Sequence, residues 1–327
     1  MSVELALLQQ LKNTNPTIRS IFNPPTSTKK FTTIAQGQGF IQNNTLPSAV
    51  SWQAIAWNGT VFCAIAYGTA AAATSPDGIT WTLRNMPSAS NWYSIAWNGT
   101  VFCAIPDGQT GAATSPDGIT WTARTKAQTQ ASPQIAWNGT VFCVLSGGNE
   151  TIQSTSPDGI TWTARTTVGM NSRGIAWNGS VFFSANTSST AGYTSPDGIT
   201  WTARTMPVSS NWNKPVWNGT VFCILGSTTV AATSPDGITW TLRVTSVTGA
   251  YTEMAWNGKV FFTPAYNNTA CNSMTSPDGI VWTTRVMPTY GNWKGVVAGD
   301  DVFCFLNNNT NQVFITDSNA LEVGYEL

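Results

Sequence analysis

Short stretches in which apolar and polar residues alternate recur from about residue 50 towards the C-terminus, and this period of two residues predicts β-strands. Within residues 51–84 the pattern predicts four strands, at Ser51–Trp57, Val61–Ile65, Ala71–Thr74 and Ile79–Leu83. Residues that favour turns separate the strands, so the chain is expected to reverse direction between them.

Two of the three connections in this unit carry clear turn residues. Asn58-Gly59 is the strongest two-residue hairpin signal, because both residues tolerate a positive φ. In Ser75-Pro76-Asp77-Gly78, proline presets φ at the second position and glycine accepts a positive φ. Tight turns of this kind predict four antiparallel strands that follow one another in sequence order.

The same unit recurs along the chain. The motif S-P-D-G-[IV]-[TV]-W-T starts at Ser75, Ser115, Ser156, Ser195, Ser234 and Ser276, in steps of 40, 41, 39, 39 and 42 residues. The motif W-N-G-x-V-F starts at Trp57, Trp97, Trp137, Trp177, Trp217 and Trp256, and a degenerate seventh copy spans residues 298–303. Seven such units predict an all-β, seven-bladed β-propeller of four-stranded antiparallel blades over residues 47–327. A parallel β-solenoid is the structural alternative, but it needs no pair of tight hairpin turns in each unit.

All aromatic and thiol positions of the repeat are interpreted as framework. A third recurrent position holds Trp52, Trp92, Trp212 and Trp293, and with the two motifs it accounts for all 16 tryptophans. One second-strand position holds Cys63, Cys103, Cys143, Cys223 and Cys304, and Phe183 and Phe262 in other units. Equivalent positions of different blades should lie beyond the Cα separation of about 7 Å that a disulfide allows. We therefore predict reduced, buried thiols; Cys271 lies outside this register.

Charge is scarce, since Asp, Glu, Lys and Arg make up 9% of the chain, against about 25% in a typical globular protein. Fifteen basic residues balance fifteen acidic ones without a basic run, so neither nucleic acid nor an anionic membrane is expected as a partner. No stretch approaches the roughly 20 apolar residues of a membrane span. The N-terminus lacks a secretory signal, so synthesis and folding in a cytoplasm are expected. A surface of mostly Thr, Ser, Asn and Gly suits sugars as ligands.

The chain has no histidine, which removes the most common general base and metal ligand. Ser–His and Cys–His nucleophile pairs are therefore excluded within the chain. The pair Asp300-Asp301 stands where other units have Asn-Gly, so we interpret it as a degenerate turn and not as a calcium site. We expect no metal and no cofactor. Asn-Gly-Thr/Ser recurs five times and is interpreted as turn chemistry, not as glycosylation.

The S-P-D-G-I-T-W turn resembles the Asp box, S-x-D-x-G-x-T-W, of sialidases and related propellers, although it is one residue shorter between Asp and Gly. The resemblance covers residues 47–327 and implies a propeller in which the box connects the third and fourth strands of a blade. It also implies a structural, non-catalytic role for Asp77, Asp117, Asp158, Asp197, Asp236 and Asp278. Repeats of this style also look like those of bacteriophage tail and other virion proteins.

A sialidase would need an arginine cluster, which the spacing does not favour. Six of the eight arginines recur once per unit at the end of the fourth strand: Arg84, Arg124, Arg165, Arg204, Arg243 and Arg285. Arg19 and Arg173 cannot form a triad alone. Tyr251 and Glu253 would share a strand face and form the one suggestive catalytic pair. Glycoside hydrolysis with two carboxylates stays an alternative, for which Asp107, Glu150, Asp300 and Asp301 are the candidates outside the repeat.

Comparison of the seven units predicts two unlike faces. The loops between the second and third strands vary, as do the connections from each fourth strand to the next blade, and both sets should emerge on one face. The nearly invariant N-G and P-D-G turns should emerge on the opposite face. Loops on a rigid scaffold commonly carry binding residues. The predicted ligand-binding residues on the variable face are Tyr67, Asp107, Glu150, Asn186, Tyr266 and Asn308. Unconstrained drift of the loops is the alternative explanation.

Residues 1–46 are interpreted as an N-terminal arm with a short helix, Val3–Lys12, and a proline-rich linker. Its apolar residues, predicted to dock on another protein or on sister copies, are Leu7, Leu8, Leu11, Ile18, Ile21 and Phe22. Packing on the propeller itself is the alternative. Two segments could close the ring as the last outer strand: Leu321–Gly324, or residues 37–43 of the arm.

The sequence thus favours a non-enzymatic virion structural or attachment protein of a phage tail or capsid. It would be made in the host cytoplasm, assemble with other virion proteins and sister copies through the arm, and display the propeller towards a receptor or host surface glycan. A free lectin-like, carbohydrate-binding propeller is the alternative, and a glycoside hydrolase is the less favoured one.

Overall fold

The computed structural model describes residues 41–249, 251–264, 272–287, 291–299, 302–308 and 310–317. Within these residues, 28 strands form seven four-stranded antiparallel sheets, and no helix occurs. The predicted all-β, seven-bladed propeller is therefore confirmed.

The strands follow one another from the hub outwards in each blade. The first strand of the described chain is β1 (Ile41–Thr45), which belongs to blade seven. Blade one contains β2 (Ser51–Trp57), β3 (Phe62–Tyr67), β4 (Thr69–Ser75) and β5 (Thr82–Ser90). Blade two contains β6 (Trp92–Trp97), β7 (Phe102–Pro106), β8 (Gly111–Ser115) and β9 (Thr122–Thr125). Blade three contains β10 (Gln134–Trp137), β11 (Phe142–Leu145), β12 (Glu150–Ser156) and β13 (Thr163–Met170).

The remaining blades repeat this order. Blade four contains β14 (Ala176–Trp177), β15 (Phe182–Ala185), β16 (Thr187–Ser195) and β17 (Thr202–Asn211). Blade five contains β18 (Val216–Trp217), β19 (Phe222–Leu225), β20 (Val230–Ser234) and β21 (Thr241–Val244). Blade six contains β22 (Ala255–Trp256), β23 (Phe261–Thr263), β24 (Asn272–Ser276) and β25 (Thr283–Val286). Blade seven contains β26 (Trp293–Gly299), β27 (Val302–Asn307) and β28 (Gln312–Asp317), with β1 as its outer strand.

The ring closes through strands from distant parts of the chain. Strand β1 pairs antiparallel with β28, so residues before the first repeat supply the outer strand of the last blade. At the hub, the innermost strands contact their neighbours in a closed cycle that ends with β2 against β26. The closing strand shares residues 41–43 with the predicted segment 37–43. The other candidate, Leu321–Gly324, lies outside the described residues, as do the predicted helix Val3–Lys12 and the apolar residues of the arm.

The two recurrent turns fold locally. In the first, Asn58 Oδ1 accepts hydrogen bonds from the backbone N–H groups of Thr60 (2.9 Å) and Val61 (2.7 Å), and Gly59 has a φ of +97°. In the second, Asp77 Oδ1 accepts hydrogen bonds from the N–H groups of Ile79 and Thr80, each at 2.9 Å. The first arrangement is found in six blades and so is the second.

The core fills the gaps between adjacent blades. The second-strand cysteine of one blade packs against the turn glycine of the next: a Cβ built on Gly118 of blade two would lie 3.1 Å from Cys63 Sγ of blade one. The Trp92 side chain is 2% exposed and packs with Met86 and Phe102. Because Gly118 has no side chain, it leaves room for the Cys63 thiol, and a larger residue at either position would crowd the other.

The predicted state of the thiols is confirmed for the cysteines that the structure describes. All five are buried and free, and burial raises the pKa of each thiol above its ordinary value. Cys271 lies outside the described residues. No helix of the described residues has the length and apolar character that crossing a membrane requires.

Candidate ligand site at the hub

A cavity of about 460 Å³ opens where the seven innermost strands begin. Residues of all seven blades line it, together with connections that the sequence comparison places on the variable face. Most lining residues occupy the two positions that lie four and three residues before the recurrent tryptophan, or its counterpart Ala298 in blade seven. In blade order, the residues of the first position are Gln53, Tyr93, Pro133, Arg173, Asn213, Thr252 and Lys294, and of these only Pro133 lies outside the lining.

β-bulges turn two of these side chains into the cavity. In β2 the pairing register shifts between Trp52 and Ala54, and in β6 it shifts between Trp92 and Ser94. The extra residues are Gln53 and Tyr93, and both line the cavity. A bulged residue is unpaired in the ladder and its side chain is re-aimed, which explains how a strand that buries tryptophan can present the next residue to solvent.

The hub is less regular in blades four to six, where the innermost strands β14, β18 and β22 are only two residues long. Pro215 precedes β18 and has no N–H with which to extend the ladder. The residues just before these short strands therefore lie outside the sheets. They include Arg173, Lys214 and Glu253, which line the same cavity.

Charge is concentrated on this irregular side. Lys214 Nζ lies 3.6 Å from Glu253 Oε2, and Arg173 Nη1 donates a hydrogen bond to Asn213 Oδ1 at 3.2 Å. Lys294 of blade seven adds a third cation to the lining. Three cations and one carboxylate give the lining a formal charge of +2, although the whole chain is neutral.

Groups from opposite blades act on one another across the cavity. Burial raises the pKa of the Tyr93 phenol, and the negative charges of Glu253 and Asp107 add to that rise, whereas the Ser132 side chain and Arg173 oppose it. Blades two, four and six thus contribute to one electrostatic environment.

Two of the predicted ligand-binding residues support the cavity from outside its lining. The Tyr67 hydroxyl donates a hydrogen bond to Asp107 Oδ2 at 3.3 Å, and burial followed by the Asp107 charge raises the Tyr67 pKa. Asp107 Oδ1 accepts a hydrogen bond from the backbone N–H of Ser132 at 2.7 Å, and Ser132 lines the cavity. The pair therefore fixes a lining segment of the next blade.

Glu150 and Asn186 have similar positions. Glu150 Oε2 accepts hydrogen bonds from the Ser146 hydroxyl and from the backbone N–H of Ala131, the latter at 3.4 Å. Asn186 Oδ1 accepts a hydrogen bond from the N–H of Asn171 at 2.9 Å, and Asn171 lines the cavity. Each of these side chains therefore holds the connection that leads into its own blade.

The last two candidates are less informative. The N–H of Asn308 donates to the Asn292 carbonyl at 3.0 Å, which ties a variable loop of blade seven to the entry of its inner strand. Tyr266 lies outside the described residues. A direct contact with ligand stays a prediction for all six.

The recurrent arginines have a framework position. Each donates a hydrogen bond from Nε to a third-strand threonine hydroxyl, as Arg84 does to Thr74 at 3.0 Å. The remaining pairs are Arg124–Thr114, Arg165–Thr155, Arg204–Thr194, Arg243–Thr233 and Arg285–Thr275. These guanidinium groups lie one per blade and do not converge on the hub.

The two residues of the suggestive catalytic pair, Tyr251 and Glu253, have different surroundings. Tyr251 is 2% exposed and packs among Leu225, Met254 and Trp282, at the position that holds tryptophan in four other units. Glu253 instead lines the cavity beside Lys214. Asp300 and Asp301 lie outside the described residues. Among the residues that the structure describes, no three of Cys, Asp or Glu are grouped as a metal site would require.

Sequence reasoning missed most residues that line the hub and named Glu253 only as part of a catalytic pair, although a signal was present. The two positions just before the recurrent tryptophan are nearly constant: Ile-Ala precedes it in blades one to four. The two positions before those change chemical type from blade to blade. An inner strand whose residues are similar near the tryptophan and vary at its other end indicates a variable, ligand-facing surface on a repeated fold.

Unusual backbone conformations also lie near this site. In the described residues, four non-glycine residues have positive φ: Ser132 (47°), Asn149 (58°), Ser188 (55°) and Thr228 (62°). Ser132, Asn149 and Thr228 lie in loops of the variable face, and Ser188 lies at the start of β16 on the same face. Such conformations are uncommon away from glycine and gather at functional sites.

No family model matches this chain, and no curated protein matches it. The fold is similar to that of solved propellers. Virginiamycin B lyase from Staphylococcus aureus is 8% identical with a TM-score of 0.73, over 85% of this chain and 99% of that one. YCF48 bound to D1 peptide is 15% identical with a TM-score of 0.67, over 86% of this chain and 96% of that one. YCF48 from Cyanidioschyzon merolae is 12% identical with a TM-score of 0.64, over 85% and 98% of the two chains. At these identities the similarity establishes the seven-bladed fold alone.

Proposed function

We propose that this protein is a non-enzymatic binding propeller that holds a polar ligand at its hub. One observation carries the proposal: the position four residues before the recurrent tryptophan changes its chemical type from blade to blade, and six of its seven residues line the cavity. The cavity volume of about 460 Å³ falls within the range of small-ligand sites, roughly 300–1,000 Å³. Its lining of amide, hydroxyl and charged side chains matches a polar ligand.

The available acids and bases support a binding role over catalysis. One solved relative in fold is a catalytically inactive virginiamycin B lyase in which a histidine is replaced by alanine, and this chain has no histidine. Asp107 and Glu150 accept hydrogen bonds from loop backbone, and Glu253 lies beside Lys214. No carboxylate pair suited to glycoside hydrolysis is therefore left uncommitted among these residues.

Titration of the intact protein against a library of neutral and acidic saccharides and peptides tests this proposal. We expect saturable binding that Gln53→Ala and Tyr93→Ala weaken at least fivefold. Thr60→Ala serves as the control, because Thr60 is exposed in the turn at the other end of blade one, which contains Gln53. Binding that neither hub variant weakens would place the ligand elsewhere, and release of reducing sugar would favour a glycoside hydrolase.

For the biological setting we propose attachment from a virus particle. The resemblance of the repeats to those of phage tail and virion proteins supports this. So do the apolar residues within residues 1–46 that are predicted to dock, which would anchor the ring while its variable face is displayed. Mass spectrometry of purified particles tests it: the chain should be present at a fixed copy number. Its absence from particles, with hub binding intact, would favour the free lectin-like propeller.

A further inference from the structure

We propose that the ligand of the hub is an acidic saccharide, whose carboxylate lies against blades four to seven and whose ring lies against Tyr93 of blade two. This inference rests on the proposed binding function and adds the chemistry and orientation of the ligand.

The distribution of cations is the first argument. Outside the six framework arginines, the described residues contain five basic side chains: Lys126, Arg173, Lys214, Lys259 and Lys294. Three of these five line one cavity. Since basic residues are scarce and the chain has no net charge, this concentration gives one cavity a formal charge of +2 and hence a preference for an anionic ligand.

The cations are held in place by neighbouring groups. Arg173 donates to Asn213 Oδ1 at 3.2 Å, and Asn213 Nδ2 donates to the Tyr251 carbonyl at 3.0 Å. Asn213 is 6% exposed, so the guanidinium is anchored to a buried amide. Arg173 itself remains exposed, and a guanidinium can form paired hydrogen bonds with a carboxylate. Glu253 offsets part of the charge of Lys214, at 3.6 Å.

The opposite half of the hub is neutral. Blades one to three contribute Gln53, Tyr93, Ser94, Ser132 and Gln134 to the lining. Amide and hydroxyl groups both donate and accept hydrogen bonds, as the hydroxyl groups of a sugar do. The Tyr93 ring adds an apolar face with a polar end. One charged side and one neutral, hydroxyl-rich side match a sugar that carries a single carboxylate.

Matched pairs of sugars test the inference, because the members of each pair differ only at C6, which is a carboxylate in one and a hydroxymethyl group in the other. We would titrate the intact protein by calorimetry with oligosaccharides of glucuronic acid and glucose, and of galacturonic acid and galactose. We expect at least tenfold tighter binding of one acidic member, and a loss of that preference when NaCl rises from 50 to 500 mM, since salt screens the exposed cations.

Variants that remove either a positive or a negative charge from the lining make the test more specific. Arg173→Ala and Lys294→Ala should each weaken acidic-sugar binding about tenfold. Glu253→Gln should strengthen it a few-fold, because it removes the one carboxylate of the lining. Lys259→Ala, on the opposite face, is the matched control and should have no effect. Unchanged melting temperatures would show that each variant is folded.

The outcomes separate this inference from the proposed function. Equal affinity for acidic and neutral sugars, with binding lost in Tyr93→Ala, would overturn the acidic ligand and keep the hub as a binding site. Binding of an acidic peptide but of no saccharide would overturn the sugar and keep the charge. Binding of none of these probes would count against both.

Discussion

The two faces of this propeller differ in how closely their connections repeat from blade to blade. On the face of the N-G and P-D-G turns, six blades repeat one geometry, and the glycines of the N-G turns have φ values between +95° and +98°. On the face that holds the hub cavity, each connection has its own hydrogen bonds, and the positive φ values of Ser132, Asn149, Ser188 and Thr228 occur there. One face was therefore built by repetition and the other by divergence.

The difference between the two faces shows that the turns that specify the fold and the connections around the proposed ligand site lie at opposite ends of the blades. The repeated turns bond to themselves, so the geometry of each turn is specified within its own blade. The connections of the other face bond between blades, as Asp107 does to Ser132. That face can vary because the turns, tryptophans and arginines already specify the ring.

The largest expected effect compares two adjacent residues, Trp92 and Tyr93. Trp92→Ala should lower the free energy of unfolding by about 3–5 kcal/mol, because the buried indole fills the gap between blades one and two. Tyr93→Ala should lower it by less than about 1 kcal/mol, since its half-buried ring faces the cavity. Urea denaturation followed by circular dichroism measures both. Similar losses would show that the hub lining is part of the framework.

The next comparison uses a buried lysine below the variable face. Lys126 is 1% exposed, its ammonium donates to the carbonyls of Gln109 (2.8 Å) and Gln128 (3.3 Å), and burial lowers its pKa to about 8. The native state therefore releases this proton near pH 8, whereas the unfolded chain keeps it up to about pH 10.5. Between these values the unfolded state binds more protons, so this residue's contribution to stability rises with pH.

Replacing Lys126 removes that pH dependence. The stability of Lys126→Met relative to the natural protein should fall by up to about 3 kcal/mol between pH 7 and 10.5. The difference between the two proteins must be measured, because the buried thiols act in the opposite direction. Their raised pKa values make both proteins lose stability above about pH 9. If the difference in stability between the two proteins did not change with pH, Lys126 would not be a buried charged group. Lys259→Met is the control, because Lys259 is exposed.

A smaller effect tests the contact between blades at the framework face. Gly118 and Gly99 both have positive φ, of +75° and +97°, so alanine should cost about 1–2 kcal/mol at either. At Gly118 the new Cβ would also lie 3.0 Å from Thr74 Cγ2 and 3.1 Å from Cys63 Sγ, whereas Gly99 has open space. Gly118→Ala should therefore be the more damaging by about 1 kcal/mol or more in thermal unfolding. The background Cys63→Ala should reduce that excess, and no coupling would argue against the contact.

The smallest expected effect concerns the carboxylates of the P-D-G turns. Partial burial alone would raise the pKa of Asp197, but hydrogen bonds from the N–H groups of Thr200 and Ile199 and from the Ser195 hydroxyl outweigh it and lower the pKa. Its stabilising contribution is therefore present above about pH 3.8 and is lost as pH falls through the lower native value. Asp197→Ala should cost about 1 kcal/mol at pH 6, since the group is exposed. Urea titrations at pH 6 and pH 2.5 should show the loss shrinking in acid.

Much of the fold could be predicted because its determinants are local and repeated. Asn-Gly and Pro-Asp-Gly specify turns through their own φ preferences, and a spacing near 40 residues specifies the blade. For the candidate site, the sequence predicted the face of the propeller but not the residues that line the cavity. The variable loops were placed on one face, but Tyr67, Asp107, Glu150 and Asn186 support lining segments and lie outside the lining itself.

The sequence by itself determined the number of blades, the four-strand pattern of each blade, the turns and the state of the buried thiols, since each depends on neighbours within one unit or on equivalent positions. It misplaced the fourth strand of blade one, which spans Thr82–Ser90 and not the predicted Ile79–Leu83. Only the tertiary structure decided that Gln53 and Tyr93 leave the ladder at bulges, and that Arg173, Lys214, Glu253 and Lys294 meet at one hub. Apart from the 80 residues between Tyr93 and Arg173, these positions follow one another about 40 residues apart from blade to blade, and closing the ring is what brings them together. It also decided that β1 completes the last blade, because that pairing joins segments more than 250 residues apart.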